Sequence, residues 1–488
     1  MNKRFLLFFI LLEQMIALYG MERTPSIPIS KVKKEWSKDD FISKYGEKTW
    51  DAYLRSKKYL RSDVPEVKIE QEPAVNIKQE PILSIDIPKS KTLEELSGVK
   101  DYIELKKIFS APKEVLEKLT KKVLDLSINN EISLLNTKEY WFDSAQDINL
   151  NTESLDKQEL YYIKKSDVKN GERYIVIGVI GDLHGNFEAF DQIIMDLIEN
   201  RKILSSDLKI TNDYKFIGLG DFVDRGKKSL NIVLIFMILR LINGEGVIFL
   251  KGNHEDSALT SDVYDFSEEL MDKLDWDTKS FYNFFKLLPV AYFAKDEKDK
   301  FSMFSHGGWT RTILKQADFF KSDKIFLKIN SQMAHFLLWN DIDFISESSY
   351  GIRPSNRGDG VYEMPYKSCL SDMRLLGIYR KYNGHMHLVP KGNPQSDEYD
   401  NLRYYHSPGF TYKHSLLDED TQIYTIISSS IIYDEFGIEN ISYYPSYLEL
   451  CFYSLGCDVH GYIKKENNNF FTRTAVKKYH ETWEYLYF

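Results

Sequence analysis

At 488 residues, the chain can hold one large domain with appendages, or two to three domains. A hydrophobic content of 43% with 14% aromatics excludes wholesale disorder, and a net charge of −9 excludes a generic nucleic-acid-binding surface at the level of the whole chain. Cys369, Cys451 and Cys457 are too few for a disulfide framework, and with no Cys-x-x-Cys pair among them a zinc ribbon is excluded as well.

In chain order, residues 1–20 read as a signal-like segment. Lys3 and Arg4 precede an apolar run from Phe5 to Leu12 that is too short to span a bilayer. This reading makes the chain secreted or exported; a start at Met21 would leave it cytoplasmic. No stable membrane insertion is expected. Residues 21–92 read as a low-complexity tail, with the near-repeat Ile69-Glu70-Gln71-Glu72-Pro73 and Ile77-Lys78-Gln79-Glu80-Pro81. Apolar-Lys-x-Glu tetrads at Lys33, Lys68 and Lys78 fit a solvated linker better than a modification site. Residues 93–170 form a helical N-terminal extension, with two helices over 93–127 joined at Pro112.

From Tyr174 the pattern changes. Tyr174–Ile180 is a nearly continuous apolar run, as expected of a strand buried on both faces. A helix over 187–200, a strand at Tyr214–Leu219, a helix at Ser229–Leu241 and a strand at Val247–Leu250 follow. This alternation predicts a βαβαβ core with a parallel sheet, whose ligands collect beyond the carboxyl ends of the strands. The catalytic domain is placed at 171–455, with strand-like runs at Gln422–Ile432 and Tyr443–Tyr453, and a C-terminal extension at 456–488.

The polar motifs fall at those strand ends. They are Gly181-Asp182-Leu183-His184-Gly185-Asn186, Gly220-Asp221-Phe222-Val223-Asp224-Arg225-Gly226 and Gly252-Asn253-His254-Glu255, followed by Ser305-His306-Gly307-Gly308 and Gly384-His385-Met386-His387. Any one of them alone is a turn or a helix cap. Five in order at strand ends are a site. Asp, Asn and His offer oxygen and imidazole nitrogen without thiolate, a set that suits Mn²⁺ first, with Fe or Zn²⁺ as alternatives. Carboxylates crowded at adjacent strand ends repel one another unless cations separate them, and two ions roughly 3.5–4 Å apart serve the hydrolysis of phosphate esters.

This motif set resembles the calcineurin-like metallophosphoesterase superfamily. Phe216–Leu230, Leu287-Leu288-Pro289-Val290 and Leu338-Trp339-Asn340-Asp341 are similar to the phosphoprotein phosphatase (serine/threonine) type, over about residues 172–412. The resemblance implies an α/β fold, a four-layer β-sandwich flanked by helices. It also implies two divalent cations: Asp182 and His184 on the first, Asp221 bridging, and Asn253, His306 and His385 on the second. His387 is a further candidate ligand on the first ion. Asp224 would orient His254, and Arg225 and Arg357 would hold phosphate oxygens. The implied reaction is attack by a metal-bridging hydroxide, with His254 protonating the leaving group. A cysteine-phosphatase route is excluded, because only four residues separate Cys369 from Arg374.

The implied substrate is a phosphorylated protein. Asn340 and Ile342 flank Asp341 where the family has Ser and Pro, which leaves the choice between Ser/Thr and Tyr open. Alternatives are a hydrolase of dinucleoside polyphosphates or other small phosphoesters on the same fold, and an inactive scaffold. The scaffold reading is disfavoured because each expected ligand is present.

Overall fold

The computed structural model describes residues 91–142, 148–167, 175–211, 214–256, 266–296, 299–343, 352–355, 357–358, 360–386 and strands between 404 and 475. The signal-like segment, the tail to residue 90 with its three tetrads, His387 and residues 476–488 lie outside the described residues.

Three helices open the described chain: α1 (Leu93–Ser97), α2 (Tyr102–Ile108) and α3 (Lys113–Leu135). The sequence predicts two. Thr92 and Glu95 form a reciprocal cap at the start of α1, and Gly98, at φ 77°, ends it after five residues. The expected break at Pro112 is present. Leu116, Leu119, Val123 and Leu124 of α3 are buried in a hydrophobic cluster shared with the catalytic helices. Glu131 of α3 pairs with Arg240 at 2.8 Å.

The chain then supplies β1 (Trp141–Phe142), α4 (Thr152–Leu155), β2 (Tyr162–Asp167), β3 (Ile175–Ile180), α5 (Phe187–Glu199), β4 (Tyr214–Gly218), α6 (Ser229–Asn243) and β5 (Val247–Phe249). β3, β4 and β5 are parallel neighbours, which is the expected βαβαβ unit. Asn186 caps α5 by accepting a hydrogen bond from the Ala189 N–H at 3.0 Å. Every residue of α6 from Ser229 to Leu239 is buried. The stretch Ser229–Gly246 is long and apolar enough to cross a membrane by length and composition, but most of it is buried in the protein interior. The Glu269 carboxylate accepts from the N–H groups of Ser229 and Leu230, so the first turn of α6 is satisfied although it is buried.

The second half adds α7 (Phe266–Leu274), α8 (Lys279–Lys286), β6 (Ala291–Lys295), β7 (Phe301–Ser305), α9 (Ala317–Lys321), β8 (Phe326–Lys328), α10 (Ser331–Trp339), β9 (Asp341–Asp343), β10 (Arg353–Pro354), β11 (Tyr362–Pro365), α11 (Tyr366–Leu375) and β12 (Ile378–Asn383). Strands β13 (Tyr404–Ser407), β14 (Phe410–His414), β15 (Gln422–Ile426), β16 (Ile431–Tyr433), β17 (Glu439–Ser442), β18 (Ser446–Tyr453), β19 (Gly456–Lys464) and β20 (Phe470–Ala475) complete it. The single run expected at Gln422–Ile432 is two strands.

Two large sheets result. One has the order β20-β19-β18-β3-β4-β5 and the other β1-β8-β2-β6-β7-β12-β15-β14-β13. Helices α5 and α6 share a hydrophobic cluster with β4 and β5, and α10 and α11 share a second one with β6, β7 and β12. Ile177, Val179 and Ile217 are buried outside the first of these clusters, which gives β3 and β4 two covered faces.

Strand pairing crosses the domain limits expected at 171 and 455. β2 pairs with β6, and β19 pairs with β18, which lies against β3. Strands β1, β2, β19 and β20, which lie outside those limits, are therefore built into the sheets. Apolar periodicity reports elements and not their partners, so it carries no sign of this long-range pairing.

Candidate metal centre

The geometry follows from register. Ile180 pairs with Gly218, and Gly218 with Phe249, so β3, β4 and β5 end side by side. In the second sheet Ser305 pairs with Asn383, so β7 and β12 also end level. Each of the five motifs leaves one of these carboxyl ends. The loops are packed tightly enough to force their glycines: Gly220 has φ 102°, and a Cβ there would strike the backbone of Gly252. A Cβ at Gly384 would strike Oδ1 of Asp182. His184, Asp221, Asp224, Arg225 and His385 all have positive φ, a costly conformation for residues with a Cβ.

Five buried side chains meet directly. His306 Nε2 lies 3.1 Å from Asp221 Oδ2 and 2.8 Å from Asn253 Oδ1. His184 Nε2 lies 3.4 Å from the same Asp221 oxygen. Asp182 accepts from the His385 backbone N–H at 3.0 Å, and its Oδ1 lies 3.8 Å from His306 Nδ1. Ligand atoms of Asp221, His306 and His385 fall within 4.8 Å of one another, and so do those of His184, Asp221 and His254. The sequence-predicted ligands Asp182, His184, Asp221, Asn253, His306 and His385 are thus brought together.

The ring anchors separate two kinds of histidine. Backbone carbonyls lie at hydrogen-bond distance from one nitrogen of each of three rings: Val223 O is 3.1 Å from His184 Nδ1, Leu219 O is 3.2 Å from His306 Nδ1, and Trp339 O is 3.0 Å from His385 Nε2. A carbonyl only accepts, so it fixes the proton on the outer nitrogen and leaves the inner one a lone pair, the arrangement of a metal ligand. His254 differs. Its Nδ1 lies 2.7 Å from a carboxylate oxygen of Asp224, whose other oxygen accepts from the Phe266 N–H at 2.8 Å.

The buried carboxylates raise the pKa of both kinds of histidine. Burial pushes the Asp221 carboxyl up, but the imidazoles of His306, His254 and His184 outweigh burial and hold it well below the usual carboxylate range. Burial pulls His306 down, while Asp221 and Asp182 raise it to about 8. For His254 the Asp221 charge and the bond to Asp224 likewise overcome burial and raise its pKa. A buried pocket that favours positive charge this strongly, lined by hard oxygens and imidazole nitrogens, fits divalent cations.

Arg225 bridges the two kinds of histidine, with Nη1 3.2 Å from His184 Nε2 and Nη2 3.3 Å from His254 Nε2. Arg357 is exposed. Its Nε donates to Asp341 Oδ2 at 2.9 Å and its Nη2 to the His385 carbonyl at 2.9 Å. Sequence reasoning gave no role to Glu255, although it closes the third motif. Its buried carboxylate accepts from the N–H groups of Asp221, Phe222 and Gly252, each at 2.8 Å, and so ties the second and third loops together. Burial and the Asp221 charge push it up to about 7. Asp341 was a family marker in the sequence; in the structure it holds Arg357 and the Ser355 hydroxyl.

Residues 175–388 match a family model described as calcineurin-like phosphoesterase. The chain carries a calcineurin-like phosphoesterase domain. The resemblance drawn from the motifs is borne out. The chain is also 31% identical over 193 residues to the serine/threonine-protein phosphatase BSL2 of Arabidopsis thaliana. That match covers 38% of this chain and 18% of the relative, so the chain spans under a fifth of that protein's length. Among solved structures, a serine/threonine phosphatase from Saccharomyces cerevisiae with similarity to human phosphatase PP5 aligns at 18% identity and TM-score 0.42, over 75% of this chain and 92% of that one. A cold-active protein-tyrosine phosphatase from a psychrophilic Shewanella aligns at 12% identity and TM-score 0.36, over 68% and 88%.

Proposed function

We propose that this phosphoesterase domain hydrolyses phosphomonoesters on phosphorylated protein side chains, with two divalent cations held by Asp182, His184, Asp221, Asn253, His306 and His385. The observation that carries this reading is the contrast in anchors: three imidazoles fixed by neutral carbonyls as ligands, and one fixed by the Asp224 carboxylate as an acid. Bound in this cradle, the cations would neutralise phosphate charge and make a water molecule nucleophilic at neutral pH.

The protein groups do the rest. Arg225 sets two guanidinium nitrogens at the border between the ligand cluster and His254, where they hold a phosphate oxygen and stabilise charge in the transition state. His254, whose pKa is raised by the Asp221 charge and the bond to Asp224, would carry a proton on Nε2 to the departing alkoxide. Arg357 is the second phosphate clamp. It is held by Asp341 and the His385 carbonyl, so its reach toward substrate depends on that pair. No covalent intermediate is needed. The likeness to a serine/threonine phosphatase supports a phosphoprotein substrate.

The test is a parallel assay of the full chain with Mn²⁺ on phosphoserine, phosphothreonine and phosphotyrosine peptides and on dinucleoside polyphosphates. Turnover of the peptides that chelation abolishes is the expected result. Turnover of the dinucleotides alone would replace the substrate class, and turnover that survives chelation would overturn the mechanism.

A further inference from the structure

We propose that Lys381 is a positioning residue for the second cation site, fixing the turn that aims His306. Lys381 lies on β12, paired with Met303 of β7 and Ile423 of β15, and is fully buried. Its ammonium donates to Ser305 Oγ at 2.6 Å and to the Gly307 carbonyl at 2.8 Å. These two residues flank His306 in the chain. Ser305 Oγ in turn donates to the Gly307 carbonyl at 3.0 Å, so ammonium, hydroxyl and carbonyl close a ring around the base of the ligand. On its other side, the turn is pinned by the Gly307 N–H donating to Leu337 O at 2.7 Å.

The described hydrogen-bond partners of Lys381 are both neutral oxygens. A buried ammonium without a carboxylate is costly, and an apolar residue would fill the same strand position at lower cost. Burial pushes this amine down to about 7. A destabilising charge placed where both its bonds clamp one metal ligand is what a positioning role requires. Groups that orient metal ligands from outside typically change affinity roughly 10–100-fold when removed.

The inference rests on the proposed cation site, and the test separates the two. Full-length wild type, Lys381→Met and Ser305→Ala are compared in the metal-free state by thermal unfolding and then titrated with Mn²⁺ by calorimetry. Lys381→Met is expected to melt at or above the wild-type temperature, yet to bind one of two Mn²⁺ ions roughly 10–100-fold more weakly. Ser305→Ala, which keeps the lysine and removes one of its acceptors, is expected to weaken the same ion by a smaller factor. If Lys381→Met does not fold, Ser305→Ala decides. Wild-type affinities for both ions in the folded variant would overturn the positioning role. A wild type that binds no Mn²⁺ would overturn the cation site itself, and this inference with it.

Discussion

Asp224 holds His254 from one side only: its Oδ2 lies 2.7 Å from the imidazole Nδ1, while its Oδ1 is committed to the Phe266 N–H at 2.8 Å. The carboxylate is thus oriented by the backbone at the start of α7 and leaves the His254 Nε2 pointing at Arg225. This pair gives the sharpest kinetic expectation. Asp224→Asn should lower turnover by ~10²–10⁴-fold on an alkyl phosphate, because the neutral amide no longer favours the imidazolium. On an aryl phosphate with an acidic phenol, which needs no protonation to leave, the loss should be much smaller. Equal losses on both substrates, measured as kcat, would remove His254 as the acid.

Asp221 is reached by both His184 and His306. A shared ligand predicts linked losses. Asp221→Asn should abolish binding of both Mn²⁺ ions and activity together, while the metal-free protein remains folded. Retention of one ion at wild-type affinity, read by metal analysis after dialysis, would show that the two sites do not share this residue.

Glu255 accepts three buried N–H groups from two loops. Glu255→Ala leaves those donors without a partner, and should destabilise the fold by about 3 kcal/mol or more. Chemical denaturation of the metal-free protein measures this. A change below about 1 kcal/mol would mean that the loops hold each other without it.

Lys381 also gives a pH dependence. Its amine is usually near 10.5 and is pushed down to about 7 by burial; Cys369, on the packed helix α11, is the titratable group acting on it, and acts in the opposite direction. Between those values the unfolded chain binds a proton that the folded chain lacks, so this group adds stability as pH rises from about 7 to about 10. Below about 7 its full penalty stands. Lys381→Met removes the dependence. Its stability relative to wild type should therefore be most favourable near pH 6 and shift by a few kcal/mol toward wild type near pH 10. Parallel stability curves across that range would contradict a depressed amine.

The βαβαβ core was legible because each strand, helix and motif there is contiguous: Ile175–Ile180 leads straight into Asp182 and His184. The grouping of the candidate ligands was legible for the same reason, since each motif follows its own strand. What periodicity could not supply is which segments pair. That β2 joins β6 and β19 extends β18 depends on contacts across more than a hundred residues in the first case, and on a tight hairpin past the expected boundary in the second. The roles of Glu255 and Lys381 were hidden for a related reason. Their partners are mostly backbone atoms, with one serine at the end of β7, and these leave no mark in the pattern of side chains.

The most direct measurement is anomalous diffraction from crystals of the full chain grown with Mn²⁺. Two peaks roughly 3.5–4 Å apart, both within bonding distance of Asp221 and one of them against His306 and His385, are the predicted result. Mn²⁺ bound elsewhere, or a density map with no ion among these side chains, would contradict the account.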